Sequence, residues 1–517
     1  MKLLKQAAVL AAVLATVPAF ASAQGIIMTD ASAYDTLQVD ISAPGVPEPG
    51  ATEASIPASE SQQADIPTEV PGAIEAYESF GGVYHTYIYE PGVRTNAPKG
   101  YRPFYISHVG RHGSRYPVDR GYVHNGLNPL RECAQNGLLT PEGQNLLRGF
   151  EKLDSLSEGV YGFLCAEGAA EHKAIAGRMA SNFPEVFAAG QHAKKTNSRR
   201  ENARNADMKR ADAEMTAGAQ RSLAGRACAR SAETGRACAR DSVTVQSTHR
   251  QRCLMSSWNF CTVLAARYPG LRMGLLSGEK YYDILSNAET PGIKARNKIY
   301  NNYSTQFTES HYDCRPMLLR LFTDPDRALA LFPNARMLME TCYANGAVAL
   351  YLGVPEILES ITPGEFEEAA RNYAAKMNCQ HCGSAENGEF RVRFAAPLLR
   401  DFLEKADAAL EPGSRIAADL RFSHDTGLMP FFALIGLDGY DRGYTFEEAF
   451  ENWDSTRLMC MATNLQMVFY RGTEGGTLVK ILLNERETPI PALGEGPYYE
   501  WEALKGYLSA ILEKVSR

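Results

Sequence analysis

The segment that decides the fold is Arg111-His112-Gly113-Ser114-Arg115-Tyr116-Pro117, which lies shortly after the apolar run Phe104-Tyr105-Ile106. A short apolar run of this kind predicts a buried strand, so the segment occupies a glycine-containing loop where that strand ends. Ligand sites in α/β sheets gather at the carboxyl ends of the strands. The segment therefore predicts an α/β fold with a ligand site on this loop.

The side chains of this loop indicate what the ligand is. Arg111 and Arg115 offer planar guanidinium groups, which match phosphate oxygens and stay charged at any working pH. A neutral imidazole such as that of His112 is a nucleophile near neutral pH, and Gly113 lets the backbone approach a ligand closely. Arg-His-Gly alone is a common chance tripeptide on a solvated loop, but the seven-residue string after a strand is far more specific. The combination predicts a site in which His112 attacks a phosphate group.

The seven-residue string resembles the R-H-G-x-R-x-P signature of the histidine acid phosphatases, a family that includes phytases and multiple inositol polyphosphate phosphatases. The preceding residues 98–108 resemble a bacterial branch of that family, and the whole resemblance spans roughly residues 75–190 and 241–495. It implies a histidine-phosphatase-like α/β sandwich domain with an inserted, mainly helical domain. It also implies that Arg111 and Arg115 bind the substrate phosphate and that His112 becomes phosphohistidine.

A second element, Ser247-Thr248-His249-Arg250-Gln251-Arg252, comes directly after a predicted strand at residues 243–247. It resembles the family's Ser-Thr-x-x-x-Arg element, whose arginine is a further phosphate ligand. The resemblance therefore assigns phosphate binding to Arg252, whereas the neighbouring Arg250 could lie on the surface. His249 stands where relatives often have Asp.

A third element, Phe422-Ser423-His424-Asp425-Thr426, follows another predicted strand at residues 415–422. It resembles the family's second signature, which is His-Asp in many acid phosphatases and bacterial phytases and His-Ala-Glu in most inositol polyphosphate phosphatases. The resemblance implies that His424 binds phosphate and that Asp425 protonates the leaving oxygen. Thr426 stands where the His-Ala-Glu enzymes have Glu, so their substrate range does not carry over automatically.

Composition restricts the class of partner. The chain has 517 residues and a formal net charge of −7, with 45% hydrophobic and 22% charged residues. It can bury a large core, and its acidic balance does not indicate nucleic-acid binding. The arginines then form a local positive pocket. We expect no cofactor and no metal, because arginine neutralises the phosphate charge and no cluster of metal-ligating residues is visible.

The eleven cysteines leave at least one thiol unpaired. The pair in Cys379-Gln380-His381-Cys382 is the chain's C-x-x-C motif. It could be half of a zinc site, but no second C-x-x-C follows, so a local disulfide or two free thiols is the favoured interpretation.

Residues 1–23 are typical of a signal peptide. Lys2 and Lys5 precede an apolar run from Ala7 to Phe20, and Ala21-Ser22-Ala23 fits a small-residue cleavage site. The alternative is a membrane anchor, but the run is short for the roughly 20 residues that a span requires. We expect export to the periplasm or secretion, with no membrane association of the mature protein.

Composition also divides the rest of the chain. Residues 24–71, rich in Ala, Pro, Ser, Glu and Thr, predict a flexible linker, and residues 191–240 predict a basic low-complexity insert with 12 Lys and Arg against 5 Asp and Glu. The insert could contact anionic surfaces, although a tolerated surface insertion is favoured. The α/β domain is predicted at residues 72–190, 241–280 and 411–517, with a helical, substrate-facing domain at residues 281–410.

The leading hypothesis is an exported phosphomonoesterase that acts through a phosphohistidine, with inositol polyphosphates such as phytate as substrates. One alternative is a broad acid phosphatase that acts on sugar phosphates. Another is a non-catalytic protein that binds phosphorylated ligands. The expected partner is a small phosphorylated molecule, and the sequence leaves open the order of phosphate removal, the disulfide pairing and the oligomeric state.

Overall fold

The computed structural model describes residues 37–40, 72–92, 94–188, 240–286, 291–332, 335–385, 388 and 390–516. The predicted signal peptide 1–23 lies outside the described residues, as do the predicted linker apart from residues 37–40 and the predicted insert apart from Arg240. Within the described part of the chain, no helix is long and apolar enough to cross a membrane.

The strands form one nine-stranded sheet. Their bounds are β1 Leu37–Asp40, β2 Tyr101–Arg111, β3 Ser242–Ser247, β4 Arg272–Ser277, β5 Ile416–Ser423, β6 Asn464–Gly472, β7 Thr477–Leu483, β8 Arg486–Glu487 and β9 Tyr498–Glu500. The order across the sheet is β1-β4-β3-β5-β2-β6-β7-β8, and β9 pairs with β7.

The helices surround this sheet. In chain order they are α1 Gly72–Phe80, α2 Arg120–Gln135, α3 Pro141–Ser157, α4 Ala166–Asn182, α5 Gln251–Arg267, α6 Glu279–Ser286, α7 Pro291–His311, α8 Arg315–Leu321, α9 Pro325–Leu329, α10 Ala335–Tyr351, α11 Glu356–Glu359, α12 Pro363–His381, α13 Ala396–Leu410, α14 Asp425–Leu434, α15 Phe446–Asn452, α16 Ser455–Leu458 and α17 Trp501–Ser516.

The parallel centre of the sheet is what positions the site. Strand β5 lies between β3 and β2 and is parallel to both, whereas β6 closes the other side of β2 in the antiparallel direction. Arg111 is level with Ser423, and Ser247 is level with Phe422. The carboxyl ends of β2, β3 and β5 therefore meet at one edge, where a ligand site is expected in an α/β sheet.

Both faces of the sheet are covered, which explains why its central strands are apolar on both sides. One face, with Ile106 and Leu420, packs on α4 and α5 through residues such as Ile175 and Phe260. The other face packs on α13, α14 and α17, and its core is continuous with that of the helices between β4 and β5. The result is the predicted α/β sandwich with a large helical insertion.

Local sequence patterns predict the strands that lead into the site. The strands predicted at residues 243–247 and 415–422 correspond to β3 and β5. Helix α3 starts as its residue types favour: Pro141 is the first helical residue, and the Thr140 side chain accepts a hydrogen bond from the Gly143 N–H.

Three placements differ from what composition alone suggests. Residues 37–40, inside the predicted linker, form β1 and pair antiparallel with β4, as the alternation of Leu37 and Val39 allows. Helix α13, at the end of the predicted helical domain, packs against β2, β5 and α17 of the sheet domain. Conversely, α2 and α3 pack against α10 and α11. Helices that chain position assigns to one of the two predicted domains thus pack against elements of the other domain.

Candidate active site

The six predicted site residues come together where β2, β3 and β5 end. Arg111 is the last residue of β2, and His424 and Asp425 follow β5 and start α14. Arg252 lies in the first turn of α5, just beyond β3. Helix N-termini favour negative charge, so two helices as well as the arginines make this edge suitable for an anion.

His112 has the state that a nucleophile needs. Its side chain is buried, and Nδ1 lies 2.9 Å from the carbonyl oxygen of Gly113. Because a carbonyl oxygen only accepts, Nδ1 carries the proton and Nε2 keeps its lone pair. Burial, followed by the charges of Arg252 and Arg111, holds the pKa of His112 well below its usual value. The imidazole is therefore neutral.

Arg111 is fixed by backbone groups on both sides of the site. It is completely buried, and its Nη1 donates to the carbonyl oxygens of Val83 at 2.6 Å and Met459 at 2.8 Å. Its Nη2 donates to Oδ2 of Asp425 at 2.6 Å. The guanidinium thus has one defined orientation before any ligand binds.

The surroundings of Asp425 favour its ionised form. Its Oδ1 also accepts the backbone N–H of Thr426 at 2.7 Å. Burial raises the pKa of Asp425, but the charge of Arg111 and the Thr426 hydrogen bond outweigh it and hold the pKa below its usual value. A role as proton donor therefore requires that the proton arrive with the substrate or that the substrate's charge raise this pKa.

Arg252 and His424 form the third side of the site. Nη2 of Arg252 lies 3.3 Å from Nδ1 of His424, and because arginine only donates, Nδ1 accepts. Nε2 of His424 then donates to Oγ1 of Thr248 at 3.1 Å. Burial lowers the pKa of Arg252 to about 10, so the guanidinium stays charged at physiological pH. Burial and the charge of Arg252 together lower the pKa of His424.

Arg115 lies on the helical side of the pocket. The hydroxyl of Tyr351 in α10 donates to the Arg115 carbonyl oxygen at 2.8 Å, and the guanidinium carbon is 6.0 Å from the ring centre of Tyr84. The Nε atoms of Arg111, Arg115 and Arg252 are buried and have no hydrogen-bond partner among the described residues.

Sequence inspection missed Glu171, a residue of α4 that contacts the loop after His112. Its carboxylate accepts from both the N–H and the hydroxyl of Ser114, each at 2.7 Å. One signal could have revealed it. Glu171 lies on the buried stripe of α4 with Gly168, Ile175 and Met179, where an apolar residue is expected.

The close approach of the loop after His112 to α4 explains why two positions are glycine. A Cβ on Gly113 would lie 2.5 Å from the carbonyl oxygen of Gly168, and a Cβ on Gly168 would lie 2.1 Å from that of Ser114. Real Cβ contacts are not that short, so both positions need glycine for the loop to rest on the first turn of α4.

The C-x-x-C motif lies at the end of α12. Cys382 is a buried free thiol, so it does not pair with Cys379. The intervening His381 is also buried, and burial lowers its pKa to about 3. Among the described residues, no group of three or more His, Cys, Asp and Glu side chains is arranged to hold a metal ion.

No protein-family model matches the chain, and no curated protein matches it. Solved structures do match. The multiple inositol polyphosphate phosphatase of Bifidobacterium longum, in complex with inositol hexasulfate, is 19% identical, with a TM-score of 0.58 over 84% of this chain and 98% of that chain. The complex of the same enzyme with phosphate is 18% identical, with a TM-score of 0.57 over 84% and 98%.

A phytase from D. castellii is 14% identical, with a TM-score of 0.52 over 87% of this chain and 89% of that chain. This chain therefore has the α/β fold of these phosphatases, with its helical insertion. The resemblance that the Arg111–Pro117 motif predicted is confirmed at the level of the fold, over nearly the whole length of the B. longum enzyme.

Proposed function

We propose that this chain is a phosphomonoesterase that passes the phosphoryl group of its substrate through His112 to water. One observation carries the proposal: a neutral His112 whose Nε2 lone pair is free lies among the charges of Arg111, Arg115 and Arg252. A phosphate group repels nucleophiles by its charge, and positioned guanidinium groups offset that charge in the transition state.

In the first step, Nε2 of His112 attacks phosphorus and the bond from phosphorus to the ester oxygen breaks. The electron pair leaves with that oxygen, which takes a proton from Asp425 and departs as an alcohol. The proton on Asp425 comes with the substrate. The second pKa of a phosphomonoester is about 6, so near neutral pH part of the substrate is the monoanion, which can share its proton with the carboxylate.

In the second step, water attacks the phosphorus of phosphohistidine. The carboxylate of Asp425 accepts a proton from the water, the bond between phosphorus and Nε2 breaks, and its electron pair returns to His112. Inorganic phosphate leaves. Acid and base are thus the same residue in its two protonation states, which general acid–base catalysis permits when the group contacts the oxygen that enters and the oxygen that leaves.

The substrates we propose are inositol polyphosphates. The support is the likeness of the fold to an inositol polyphosphate phosphatase and to a phytase. Phenolic side chains also lie beside the site: the guanidinium carbon of Arg115 is 6.0 Å from the ring centre of Tyr84, whose hydroxyl donates to that of Tyr373 at 3.1 Å.

Phosphate release tests the proposal. Purified wild type and His112→Ala are incubated with inositol hexakisphosphate, a sugar phosphate and p-nitrophenyl phosphate in the presence of a metal chelator. We expect the highest kcat/KM on inositol hexakisphosphate and almost no turnover by His112→Ala. Similar kcat/KM values on all three would favour a broad acid phosphatase. Tight binding without phosphate release would instead indicate a binding protein.

We also propose export, on the strength of residues 1–23. The full chain, expressed in a bacterium, is expected outside the cytoplasm with Gln24 as its first residue. N-terminal sequencing of the recovered protein decides this, because an uncleaved Met1 in the cytoplasmic fraction would contradict it.

A further inference from the structure

Glu171 is a buried carboxylate that the proposed chemical steps do not use. It is 6% exposed, and it forms no ion pair with any described residue. Its partners are neutral donors of two segments. Ser114 supplies its N–H to Oε2 and its hydroxyl to Oε1, each at 2.7 Å, and the N–H of Tyr87 lies 2.8 Å from Oε1. A carboxylate buried without a cation is destabilising, so its retention at this position needs an explanation.

The peptide group between Gly113 and Ser114 connects Glu171 to His112. The N–H of this peptide group donates to Oε2 of Glu171, and its carbonyl oxygen accepts from Nδ1 of His112 at 2.9 Å. Carboxylate, peptide group and imidazole are thus joined in one chain of hydrogen bonds. Neighbouring hydrogen bonds in a buried chain polarise one another, so a negative charge at one end strengthens the acceptor at the other.

We propose that Glu171 is a positioning residue for His112 and acts through the Gly113–Ser114 peptide group. The proposal rests on the proposed function, in which His112 is the nucleophile. The polarised carbonyl fixes the proton of His112 on Nδ1 and the orientation of the ring, which keeps the lone pair on Nε2 directed into the pocket. It also stabilises the positive charge that the imidazole acquires when Nε2 bonds to phosphorus.

The packing around the peptide group supports this role. The backbone N–H of Cys165 donates to the Ser114 carbonyl oxygen at 3.0 Å, and Gly113 rests against Gly168. The residues on both sides of the peptide group are therefore held against the start of α4. Burial raises the pKa of Glu171 to about 7, so the carboxylate is charged above that pH.

The test compares Glu171→Gln with wild type and with Ser114→Ala at a pH above about 7. Glu171→Gln removes the charge, whereas Ser114→Ala removes the hydroxyl contact and keeps the peptide N–H. The first readout is ¹⁵N NMR of labelled histidine side chains, with the His112 signals identified by their loss in His112→Ala. We expect a single tautomer protonated at Nδ1 in wild type and in Ser114→Ala, and a mixture of tautomers in Glu171→Gln.

The second readout separates chemistry from binding. We expect Glu171→Gln to slow phosphoenzyme formation in rapid-quench experiments by about 10–100-fold, the usual effect of removing a group that orients a reactive histidine through another group. The dissociation constant for inorganic phosphate should change little, because Arg111, Arg115 and Arg252 remain. Ser114→Ala should lose much less of the rate. Glu171→Asp keeps the charge and should therefore keep the Nδ1 tautomer. This variant tests the proposal if Glu171→Gln does not fold.

Two results would overturn the proposal. One is a wild-type His112 protonated at Nε2. The other is an equal loss of rate in Glu171→Gln and Ser114→Ala with a matching loss of phosphate affinity, which would mean that Glu171 only anchors the loop. The NMR readout needs no turnover. If the wild type releases no phosphate from any substrate, the proposed function fails, while the tautomer still decides the role of Glu171.

Discussion

Arg111 donates a 2.6 Å hydrogen bond to Oδ2 of Asp425, and this ion pair joins the end of β2 to the start of α14. The pair places the residue before the proposed nucleophile against the proposed acid. It also means that Arg111 stabilises the ionised form of Asp425 until a phosphate shares its charge. Substrate binding and the protonation of Asp425 are therefore coupled in the proposed mechanism.

The first prediction concerns His112. His112→Ala should lose nearly all turnover while its circular dichroism and melting temperature remain close to those of the wild type. Among the described residues, the one hydrogen bond of the side chain is to a neighbouring carbonyl. In the wild type, rapid quench into alkali, in which phosphohistidine survives, should leave phosphate on His112. A label found on a serine or cysteine instead would exclude the proposed intermediate.

The second prediction concerns Asp425. Asp425→Asn should slow the hydrolysis of alkyl phosphates by about 10²–10⁴-fold, the usual size of general-acid catalysis. Hydrolysis of p-nitrophenyl phosphate should fall much less, because its leaving group hardly needs a proton. The variant should also bind inorganic phosphate more tightly, since Arg111 loses its competing anion. Equal losses of kcat on both substrates would point to another proton donor.

The sequence predicts the parts of this site that depend on short segments. The motif at Arg111–Pro117, the Arg252 element and the His424-Asp425 pair each follow a strand whose apolar pattern is visible, and strand ends meet in an α/β sheet. Their convergence could therefore be inferred from local patterns and topology. Strand β1 could have been predicted as well, from the alternation within residues 37–40.

The contacts that hold the site residues in place could not be predicted in this way. Arg111 is held by the carbonyl oxygens of Val83 and Met459, 28 and 348 positions away along the chain. Every residue type provides a backbone carbonyl oxygen, so these contacts cannot be recognised from the sequence. The low pKa of Asp425 depends on the same three-dimensional arrangement, because the charge of Arg111 acts on it against burial.

The third prediction concerns the contact between α4 and the loop after His112. Gly168→Ala should remove most activity, because its Cβ would lie 2.1 Å from the Ser114 carbonyl oxygen and displace the loop. Gly177→Ala is the matched control on the same helix, since a Cβ there has no heavy atom within 4 Å. The control should keep its kcat and gain roughly 0.5–1 kcal/mol of stability. Equal activity in the two variants would mean that the loop tolerates displacement.

The fourth prediction concerns the stability of the protein as a function of pH. Burial raises the pKa of Glu171 from 4.5 to about 7, so the folded state binds this proton more tightly than the unfolded state. Its contribution to stability is then fully present below about pH 4.5 and is lost as the pH rises through about 7. Glu171→Gln resembles the protonated form and lacks this loss. Its melting temperature should therefore rise relative to the wild type between these pH values, whereas a constant difference would contradict the assignment.

The last prediction concerns the basic insert and its C-terminal boundary. Arg240, the last residue of the predicted segment 191–240, donates to the carbonyl oxygens of Ile416 and Ala409 and lies 4.7 Å from the ring centre of Phe104. It therefore belongs to the sheet domain. The preceding residues have few large apolar side chains, and this composition predicts that they contribute little to the core of the protein.

Replacement of residues 191–239 by a short Gly-Ser linker should accordingly leave kcat on a small phosphate ester within a few-fold of the wild type. Extension of the deletion through Arg240 should lower the melting temperature, because the contacts with Ile416, Ala409 and Phe104 are lost together. Thermal melts and steady-state kinetics of the two deletions separate these effects. A shorter deletion that folds and melts like the wild type but no longer binds inorganic phosphate would place residues 191–239 in the site itself.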